Sequence, residues 1–279
     1  MNKIKLVLLF LLILSSEINA QNLKLMTYNI RLDNRNDAEN SWGNRKTFLT
    51  EQIKFHEPDI FGVQEALNNQ IEFLSEQFSN FDYIGVGRED GKIDGEFSAI
   101  FYNKIRFKLL AHSTFWLSET PDTPSKGWDA AYRRICTYGY FHDQLQNKNI
   151  WVFNTHFDHI GTKARKNSSE LIIQKISDLA KNGESVVLMG DLNMEATSEG
   201  IKTIESRFTD SYNVSELRFG AESGTFNDFK YTQKSNQRID YIFIKNESLS
   251  VKKYAILNNS YQLRFPSDHF PVMIEVSYK

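Results

Sequence analysis

Short runs of apolar residues alternate with polar segments along the chain, and they predict strands separated by helices. Residues 23–30 are typical of a first strand, and residues 45–55 carry apolar side chains at helical spacing until residues 56–59 stop the helix. Residues 59–64 form a second apolar run. A strand, a helix and a strand joined by short connections make a parallel crossover unit, so the ends of both strands should lie at one sheet edge.

The same order of elements returns in the second half of the chain. Residues 150–155 predict a strand, and residues 163–182 predict a long helix with Gly183 as its C-cap. Residues 186–189 are uniformly apolar, which is typical of a strand buried on both faces. The two halves repeat the same order of elements, but their amino-acid sequences show no repeat.

A glycine and two polar residues follow that buried run. Gly190 lets the backbone turn, and Asp191 and Asn193 then stand just past the strand end. In an extended chain, side chains two residues apart point to the same side. A carboxylate beside an amide at the mouth of a sheet can hold water, a hydrated cation and a phosphate oxygen together, although such pairs also occur as ordinary turn residues.

The remaining pattern completes an α/β fold. Residues 97–102 and 107–117 are predicted as antiparallel neighbours, and residues 118–131, with two prolines, as a long loop of the kind that often carries function. Further predicted elements are a helix over residues 68–78 and strands over residues 81–87, 135–141, 240–244 and, after a turn at residues 267–270, at the end of the chain.

Composition supports one domain of ordinary size. The chain has 279 residues, of which 41% are hydrophobic and 13% aromatic, so it can bury a large core. No linker rich in Gly, Pro or Ser interrupts it, and we predict a single domain over residues 21–279. The formal net charge of −2 argues against a protein that grips long nucleic acid with its whole surface, although a local basic groove is compatible with it.

The N-terminus has the features of a targeting segment. Lys3 and Lys5 precede an unbroken apolar run over residues 6–14, and small and polar residues then lead to Ala20. The run is too short to span a bilayer comfortably, which favours a cleaved secretory signal over residues 1–20 against an uncleaved anchor. We therefore expect a secreted or periplasmic protein cleaved after Ala20. The single cysteine, Cys136, excludes an intramolecular disulfide and is expected to be a buried structural thiol.

Polar side chains arrive at the ends of several predicted strands. Carboxylates and amides without thiols suit a hard cation such as Mg²⁺ or Mn²⁺, whereas zinc would prefer more histidine or cysteine. Two histidines among carboxylates suit proton transfer and charge stabilisation at a phosphate. Each residue alone is more often a cap or a turn residue, but eight share one spatial scheme: Asn29, Glu65, His156, Asp191, Asn193, Asp240, Asp268 and His269.

Asp158 and His159 could also touch a phosphate, but hydrogen bonding within their loop explains them equally well. We leave both roles open.

Six short motifs, in order along the chain, resemble those of the endonuclease/exonuclease/phosphatase superfamily. That group includes DNase I-like nucleases, the exonuclease III type, neutral sphingomyelinases, inositol polyphosphate 5-phosphatases and deadenylases. The resemblance implies a four-layer αββα sandwich, with two mixed sheets packed face to face and helices outside, and divalent-metal hydrolysis of a phosphate ester. The motifs are Thr27-Tyr-Asn-Ile30, Gly62-Val-Gln-Glu65, Asn154-Thr-His156, Gly190-Asp-Leu-Asn193, Ile239-Asp-Tyr-Ile242 and Ser267-Asp-His-Phe-Pro271.

The resemblance also implies which residues bind the metal and activate water. Glu65 would be the principal metal ligand, with Asn29 and Asp268 as further ligands. Asp191 would orient or deprotonate the attacking water, and Asn193 would fix that residue and the phosphate.

The remaining implied roles concern the phosphate. His269, held by Asp240, would stabilise the charged transition state, and His156 would donate to a non-bridging oxygen or assist the leaving group. Arg134 resembles a phosphate clamp, with Arg133 as its rival, and Glu96 resembles a further acidic group near the site.

Taken together, these features predict a secreted, Mg²⁺- or Mn²⁺-dependent phosphoesterase that cleaves a phosphodiester or phosphomonoester by in-line attack of water. A metal-dependent nuclease acting on DNA or RNA and a catalytically silent binding module on the same fold are the alternatives. The expected substrate is a small molecule, a lipid head group or a short nucleic acid, because no clustered Lys/Arg stripe suits long duplex DNA. We expect a monomer without a stable protein partner.

Overall fold

The secondary structure follows the predicted order of strands and helices. The computed structural model describes residues 22–181, 183–245 and 247–279, so the predicted signal segment and its cleavage site lie outside the described residues. The elements are β1 (Leu23–Asn29), α1 (Trp42–His56), β2 (Ile60–Gln64), α2 (Asn68–Gln77), β3 (Phe81–Ile84), β4 (Ile100–Asn103), β5 (Phe107–Trp116), β6 (Ile135–Asp143), β7 (Lys148–His156), α3 (Thr162–Leu179), β8 (Ser185–Asp191), α4 (Glu199–Glu205), β9 (Thr209–Asp210), α5 (Ser211–Val214), β10 (Leu217–Phe219), β11 (Asp240–Ile244), β12 (Leu249–Ile256) and β13 (Val272–Tyr278). A short 3₁₀ helix, Arg35–Asn40, lies between β1 and α1.

The strands form two mixed sheets. The first has seven strands in the order β10-β12-β13-β1-β2-β4-β3, and the second has six in the order β5-β6-β7-β8-β11-β9. Both predicted crossovers are confirmed, because β1 pairs in parallel with β2 and β7 in parallel with β8. Each crossover helix, α1 or α3, connects the two strands of its parallel pair.

Three apolar clusters divide the molecule into four layers. In β8, Val187 and Met189 belong to the cluster shared by the two sheets, whereas Val186 and Leu188 belong to the cluster with Ile172 and Ile176 of α3. In β1 and β2, Met26, Tyr28 and Phe61 pack with Leu49 and Ile53 of α1. Because β8 is buried on both faces, residues 186–189 at its middle are a continuous apolar run. The predicted αββα sandwich is confirmed.

The prediction that the strands near residues 97–102 and 107–117 are antiparallel neighbours is wrong. Strand β4 pairs with β2 and β3 in the first sheet, whereas β5 pairs with β6 in the second. The chain changes sheets at the intervening turn, where buried Arg106 forms ion pairs with Asp59 at 2.9 Å and Asp143 at 2.7 Å. The local sequence does not distinguish a turn that leads into the other sheet from the turn of a β-hairpin.

The predicted end of the long helix is also wrong. Helix α3 ends at Leu179, and the next residue, Ala180, is extended, so Gly183 is not its C-cap. Leu179 and the adjacent Ala180 both pack against the apolar cluster between α3 and the second sheet. Asn182 lies outside the described residues.

Several elements in the last third of the chain were not predicted. These are helices α4 and α5 and strands β9, β10 and β12. Strand β12 is an amphipathic strand, with Val251, Tyr254 and Ile256 buried while Lys253 is exposed. Within the described ranges, no helix has the length and apolarity needed to cross a membrane.

Candidate active site

Strand register brings three of the predicted residues side by side in the second sheet. Asp191, the last residue of β8, pairs with His156 at the end of parallel β7 and with Asp240 at the start of antiparallel β11. Gly190 has φ of 145°, and a Cβ at this position would lie 2.0 Å from the carbonyl oxygen of Thr155. The glycine therefore allows β7 and β8 to approach at the residue before the site.

The first sheet supplies Asn29 and Glu65 from the ends of its parallel pair. The Nδ2 of Asn29 lies 3.0 Å from Oε1 of Glu65 and 2.9 Å from Oδ2 of Asp191. Asn29 thus connects carboxylates that come from different sheets. The sheets approach closely below this point, because a Cβ on Gly62 would lie 2.6 Å from the side chain of Asn154.

His269 forms an ion pair with two buried carboxylates. Its Nδ1 lies 2.9 Å from Oδ2 of Asp240, and its Nε2 lies 3.7 Å from Oδ2 of Asp191. Burial opposes a charge on the ring, but these two carboxylates together raise the pKa of His269 well above its ordinary value. His269 is therefore a cationic donor beside Asp191.

His156 has the opposite electrostatic environment. Burial, followed by the positive charges of Arg134 and Arg88, lowers the pKa of His156 well below its ordinary value. Its Nε2 lies 3.0 Å from the Nδ2 of Asn193, which also donates to the carbonyl oxygen of Phe157. A neutral ring that accepts at Nε2 carries its proton on Nδ1.

Several buried donors at one end of the cleft lack a hydrogen-bond acceptor within the described residues. They are Nδ1 of His156, Nε and Nη1 of Arg134 and Nε of Arg88. Arg134 reaches Glu96 and Asp158 only at ion-pair distances of 3.9 and 3.5 Å. Since unpaired buried donors are costly, this cluster points to a bound anion.

The two neighbouring arginines, Arg133 and Arg134, have different environments. Arg134 is buried and lines the cleft. Arg133 is partly exposed, is not a lining residue of the cleft, and forms an ion pair with Glu89. Glu96 lines the same cleft and pairs with Arg88 at 2.6 Å. Burial raises the pKa of Glu96 to about 7, against the lowering effect of Arg88.

Acidic groups crowd the centre of the cleft. Burial and the nearby Asp240 raise the pKa of Asp191 to about 7. Burial, and then the charge of Glu65, raise the pKa of Asp268 to about 6 although His269 lowers it. A divalent cation would offset this repulsion, so the residues fit a hard metal ion.

Two sets of residues offer ligands for that ion. Among the described residues, Asp191, Asp240 and His269 place ligand atoms within 4.8 Å of one another. A protonated His269 cannot ligate a metal, because both ring nitrogens are then donors. Glu65 and Asp268, which both line the cleft, are the second set and offer carboxylate oxygens to a cation.

The backbone is strained at two of the predicted residues. Glu65 has φ of 64° and Asn193 has φ of 49°, both in the left-handed region that non-glycine residues avoid. Asn193 is therefore not in extended chain, contrary to the expectation from spacing. Instead the N–H of Asn193 donates to Oδ1 of Asp191, which turns both side chains into the cleft.

All eight strand-end groups meet at this cleft of about 1000 Å³. Six of them line it, while Asn29 and Asp240 lie behind and contact the lining residues directly. Their chemical roles stay predictions. Cys136 is buried and its thiol pKa is raised by burial, and it does not line the cleft.

The two residues whose roles were left open have different surroundings. Asp158 accepts the backbone N–H groups of residues 131, 132, 160 and 161, which lower its pKa to about 2 despite burial, so it organises its loop. His159 lines the cleft, and its Nδ1 lies 3.1 Å from Nη2 of Arg134.

Some lining residues carried no usable signal in the sequence. Arg88 comes from a turn-rich loop, and Tyr132 comes from the end of the loop that follows β5. The Tyr132 ring stacks on His159 at 5.8 Å. Phe226 packs its ring on His269 at 5.1 Å, from a segment between β10 and β11 for which we predicted no element. Each residue reaches the cleft through loop geometry that local pattern does not specify.

Comparison with known proteins gives consistent matches. A sequence model described as "Endonuclease/Exonuclease/phosphatase family" matches residues 26–269. A mannosyl-6-phosphatase of Bacteroides thetaiotaomicron VPI-5482 is 39% identical, with a TM-score of 0.88 over 91% of this chain and 99% of that one. The uncharacterized protein L388 of Acanthamoeba polyphaga mimivirus is 29% identical over 161 residues, which are 55% of this chain and 60% of that protein.

A fungal relative matches part of the chain. The probable RNA exonuclease NGL3 of Saccharomyces cerevisiae is 30% identical over 195 residues, 62% of this chain. The chain spans 60% of the length of the viral protein and 37% of the length of this exonuclease.

Proposed function

Because the chain belongs to the endonuclease/exonuclease/phosphatase family, we propose that it is a divalent-metal-dependent hydrolase that attacks phosphate esters with water. One observation carries the proposal. Unpartnered donors of Arg134 and His156 lie at one end of a cleft whose centre is acidic, which suits a phosphate at one end and a cation beside it.

The metal site of the proposal uses the acidic centre. Glu65 and Asp268 would hold Mg²⁺ or Mn²⁺, with Asn29 as a further ligand. In the structure, Asn29 connects Glu65 to Asp191. When bound, the cation supplies positive charge to the phosphate oxygens and favours the ionised form of water.

The water is activated by Asp191. Its pKa of about 7 is suited to accepting a proton near neutral pH. The N–H of Asn193, 2.9 Å from Oδ1, fixes the orientation of the carboxylate. A water molecule that donates a hydrogen bond to this carboxylate would attack the phosphorus in line with the bond to the leaving group.

The phosphate is held by donors that need no rearrangement. Arg134 and His156 Nδ1 donate to its non-bridging oxygens, and His269, kept cationic by Asp240, stabilises the additional charge of the transition state. Such donors act strongly because the site is buried.

The substrate class of the proposal is a phosphorylated sugar. The 39% identity to a mannosyl-6-phosphatase supports it, since that match covers 99% of the other chain. The relation to a probable RNA exonuclease keeps short RNA as the competing substrate.

The test is hydrolysis by purified protein of mannose 6-phosphate, an aryl phosphomonoester, an aryl phosphodiester, sphingomyelin, short RNA and duplex DNA, each with Mn²⁺ or with EDTA. We expect chelator-sensitive release of phosphate, fastest from the sugar phosphate. Rates indifferent to EDTA would exclude the metal mechanism, and efficient duplex nicking would exclude the substrate class. An absence of any turnover would support a silent binding module instead.

The cellular setting is part of the proposal. Lys3, Lys5 and the apolar run over residues 6–14 support export with cleavage after Ala20. We further propose that the mature protein is a monomer. N-terminal sequencing of the exported protein tests the cleavage, and light scattering tests its mass. A mature chain that still begins at Met1, or a stable dimer, would contradict these parts.

A further inference from the structure

Residues 31–40, between β1 and α1, form one wall of the cleft. Arg45, a buried residue of α1 that makes no ion pair within the described residues, donates to the carbonyl oxygens of Ile30, Arg31, Leu32 and Asn40. One side chain thus fixes both ends of residues 31–40.

Arg31 is positioned by that wall. Its φ of 57° is left-handed, and its carbonyl oxygen accepts hydrogen bonds from Arg45 and from buried Gln70. Its Nε and Nη2 donate to the two carboxylate oxygens of Asp37 at 2.9 and 3.0 Å, while its Nη1 lies 3.7 Å from Asp268. Both Arg31 and Asp37 line the cleft.

Two amides complete the wall. Asn36 and Asn40 line the cleft, and neither side-chain amide hydrogen-bonds to another residue in the part of the chain that the structure describes. Each amide offers both donors and an acceptor. Together with the Arg31–Asp37 pair, they present donors and acceptors in similar numbers.

This balance suits hydroxyl groups better than a second phosphate. A hydroxyl both donates and accepts, whereas a phosphate only accepts and favours cations that lack a carboxylate partner. Arg31 is already paired with Asp37, and Arg88 with Glu96. Six carboxyl groups and three arginines line the cleft, so any anionic group beyond the first phosphate meets an acidic surface.

The wall and the phosphate donors lie at different ends of one chain of contacts. On one side of Asp191, its Oδ2 lies 3.4 Å from Nε2 of His156. The Nδ1 of His156 lies 3.9 Å from Oε2 of Glu96, which also lies 3.9 Å from Nη1 of Arg134. On the other side, His269 adjoins Asp191 at 3.7 Å, and the neighbouring Asp268 contacts Arg31. An ester whose phosphate contacts Arg134 can therefore direct its leaving group toward the wall.

We propose that Arg31, Asn36, Asp37 and Asn40 form a leaving-group site that binds the hydroxyls of an uncharged polyol, a hexose above all, and selects substrates with a single phosphate. This inference rests on the proposed hydrolysis of phosphate esters and names the residues that choose among them. The four residues are a specificity site, separate from the groups that perform the chemistry.

The test compares kcat/KM for mannose 6-phosphate, p-nitrophenyl phosphate and fructose 1,6-bisphosphate in the Mn²⁺-loaded protein. We expect Asn36→Ala/Asn40→Ala to lower the ratio of mannose 6-phosphate to p-nitrophenyl phosphate by about tenfold, mainly through KM, as expected for lost hydrogen bonds to the substrate. Arg31→Lys, which keeps the charge beside Asp268 but loses the fork to Asp37, should shift the ratio in the same direction. The bisphosphate should be a poorer substrate than the monophosphate for the native protein.

The matched control is Asn259→Ala, an exposed asparagine outside the cleft, which should keep the native ratio. An unchanged ratio in both the double variant and Arg31→Lys would overturn the leaving-group site, as would a preference for the bisphosphate. If the native protein released phosphate from none of the three substrates, the proposed function itself would fail, which is a separate outcome. Melting temperatures of all variants identify any loss of folding.

Discussion

The Nδ1 of His269 lies 2.9 Å from the Oδ2 of Asp240, and both side chains are buried, with Asp240 behind the ring and His269 lining the cleft. This pairing keeps the ring cationic and fixes which nitrogen faces the cleft. Asp240 therefore acts through His269, in a positioning role.

That relationship predicts the effects of two substitutions. We expect His269→Ala to lower kcat by about 10²- to 10³-fold, the loss typical of a donor that stabilises transition-state charge. Asp240→Asn should cause a smaller loss and should lower the pKa of His269, which NMR titration would detect. The double variant should be no worse than His269→Ala alone. Losses that multiply in the double variant would show that Asp240 acts independently.

Substitutions of the two acidic residues connected by Asn29 are expected to reduce activity in different ways. Asp191→Asn should abolish turnover at every metal concentration, because it removes the group that accepts the proton from water. Glu65→Gln should weaken metal binding, so excess Mn²⁺ should recover part of the rate. Metal titrations of kcat measure both effects. If metal rescues Asp191→Asn and leaves Glu65→Gln inactive, the roles proposed for the two carboxylates are exchanged. The control is Cys136→Ser, because Cys136 is buried away from the cleft.

Arg134 and Arg133 give a matched pair for the phosphate site. We expect Arg134→Lys to weaken competitive inhibition by inorganic phosphate by about tenfold or more, because a bidentate donor is lost. Arg133→Lys should leave the inhibition constant within about twofold, as expected for an exposed ion pair. A larger effect of Arg133→Lys than of Arg134→Lys would indicate that the phosphate binds near Arg133 and Glu89 instead of at Arg134.

The raised pKa of Asp191 predicts a pH-dependent effect on stability. A carboxyl whose pKa rises from 3.8 in the unfolded chain to about 7 on folding contributes stability below the lower value, and this is lost as pH rises through the upper one. In EDTA-treated protein, Asp191→Asn should therefore raise the melting temperature by about 2 °C or more near pH 8. The difference should shrink as the pH falls toward 5 and should vanish only below about 3.8, where the carboxyl is protonated in both the folded and the unfolded chain. An equal difference at both pH values would contradict the shift.

The central strands and the residues at their ends could be predicted from the sequence. Each parallel crossover has a local signature, in which two strand-like segments flank a helix with apolar residues at helical spacing. Two such units were enough to place Asn29, Glu65, His156 and Asp191 at shared sheet edges.

The parts that could not be predicted depend on contacts between distant residues. The left-handed backbone at Glu65 and Asn193 occurs without glycine, and Arg31 is positioned by Arg45 and Gln70 from two different helices. The change of sheet between β4 and β5 depends on the buried ion pairs of Arg106. Local pattern contains none of this information.

The central claim is that one cleft holds a metal ion at Glu65 and Asp268 and a phosphate at Arg134 and His156, with Asp191 between them. The most direct test is a crystal structure of the protein with Mn²⁺ and inorganic phosphate, using anomalous scattering to locate the metal. We predict one manganese peak bonded to Glu65 and Asp268, with phosphate oxygens on Nη1 of Arg134 and Nδ1 of His156. Manganese bound instead at Asp240 and His269, or phosphate bound away from Arg134, would contradict the account.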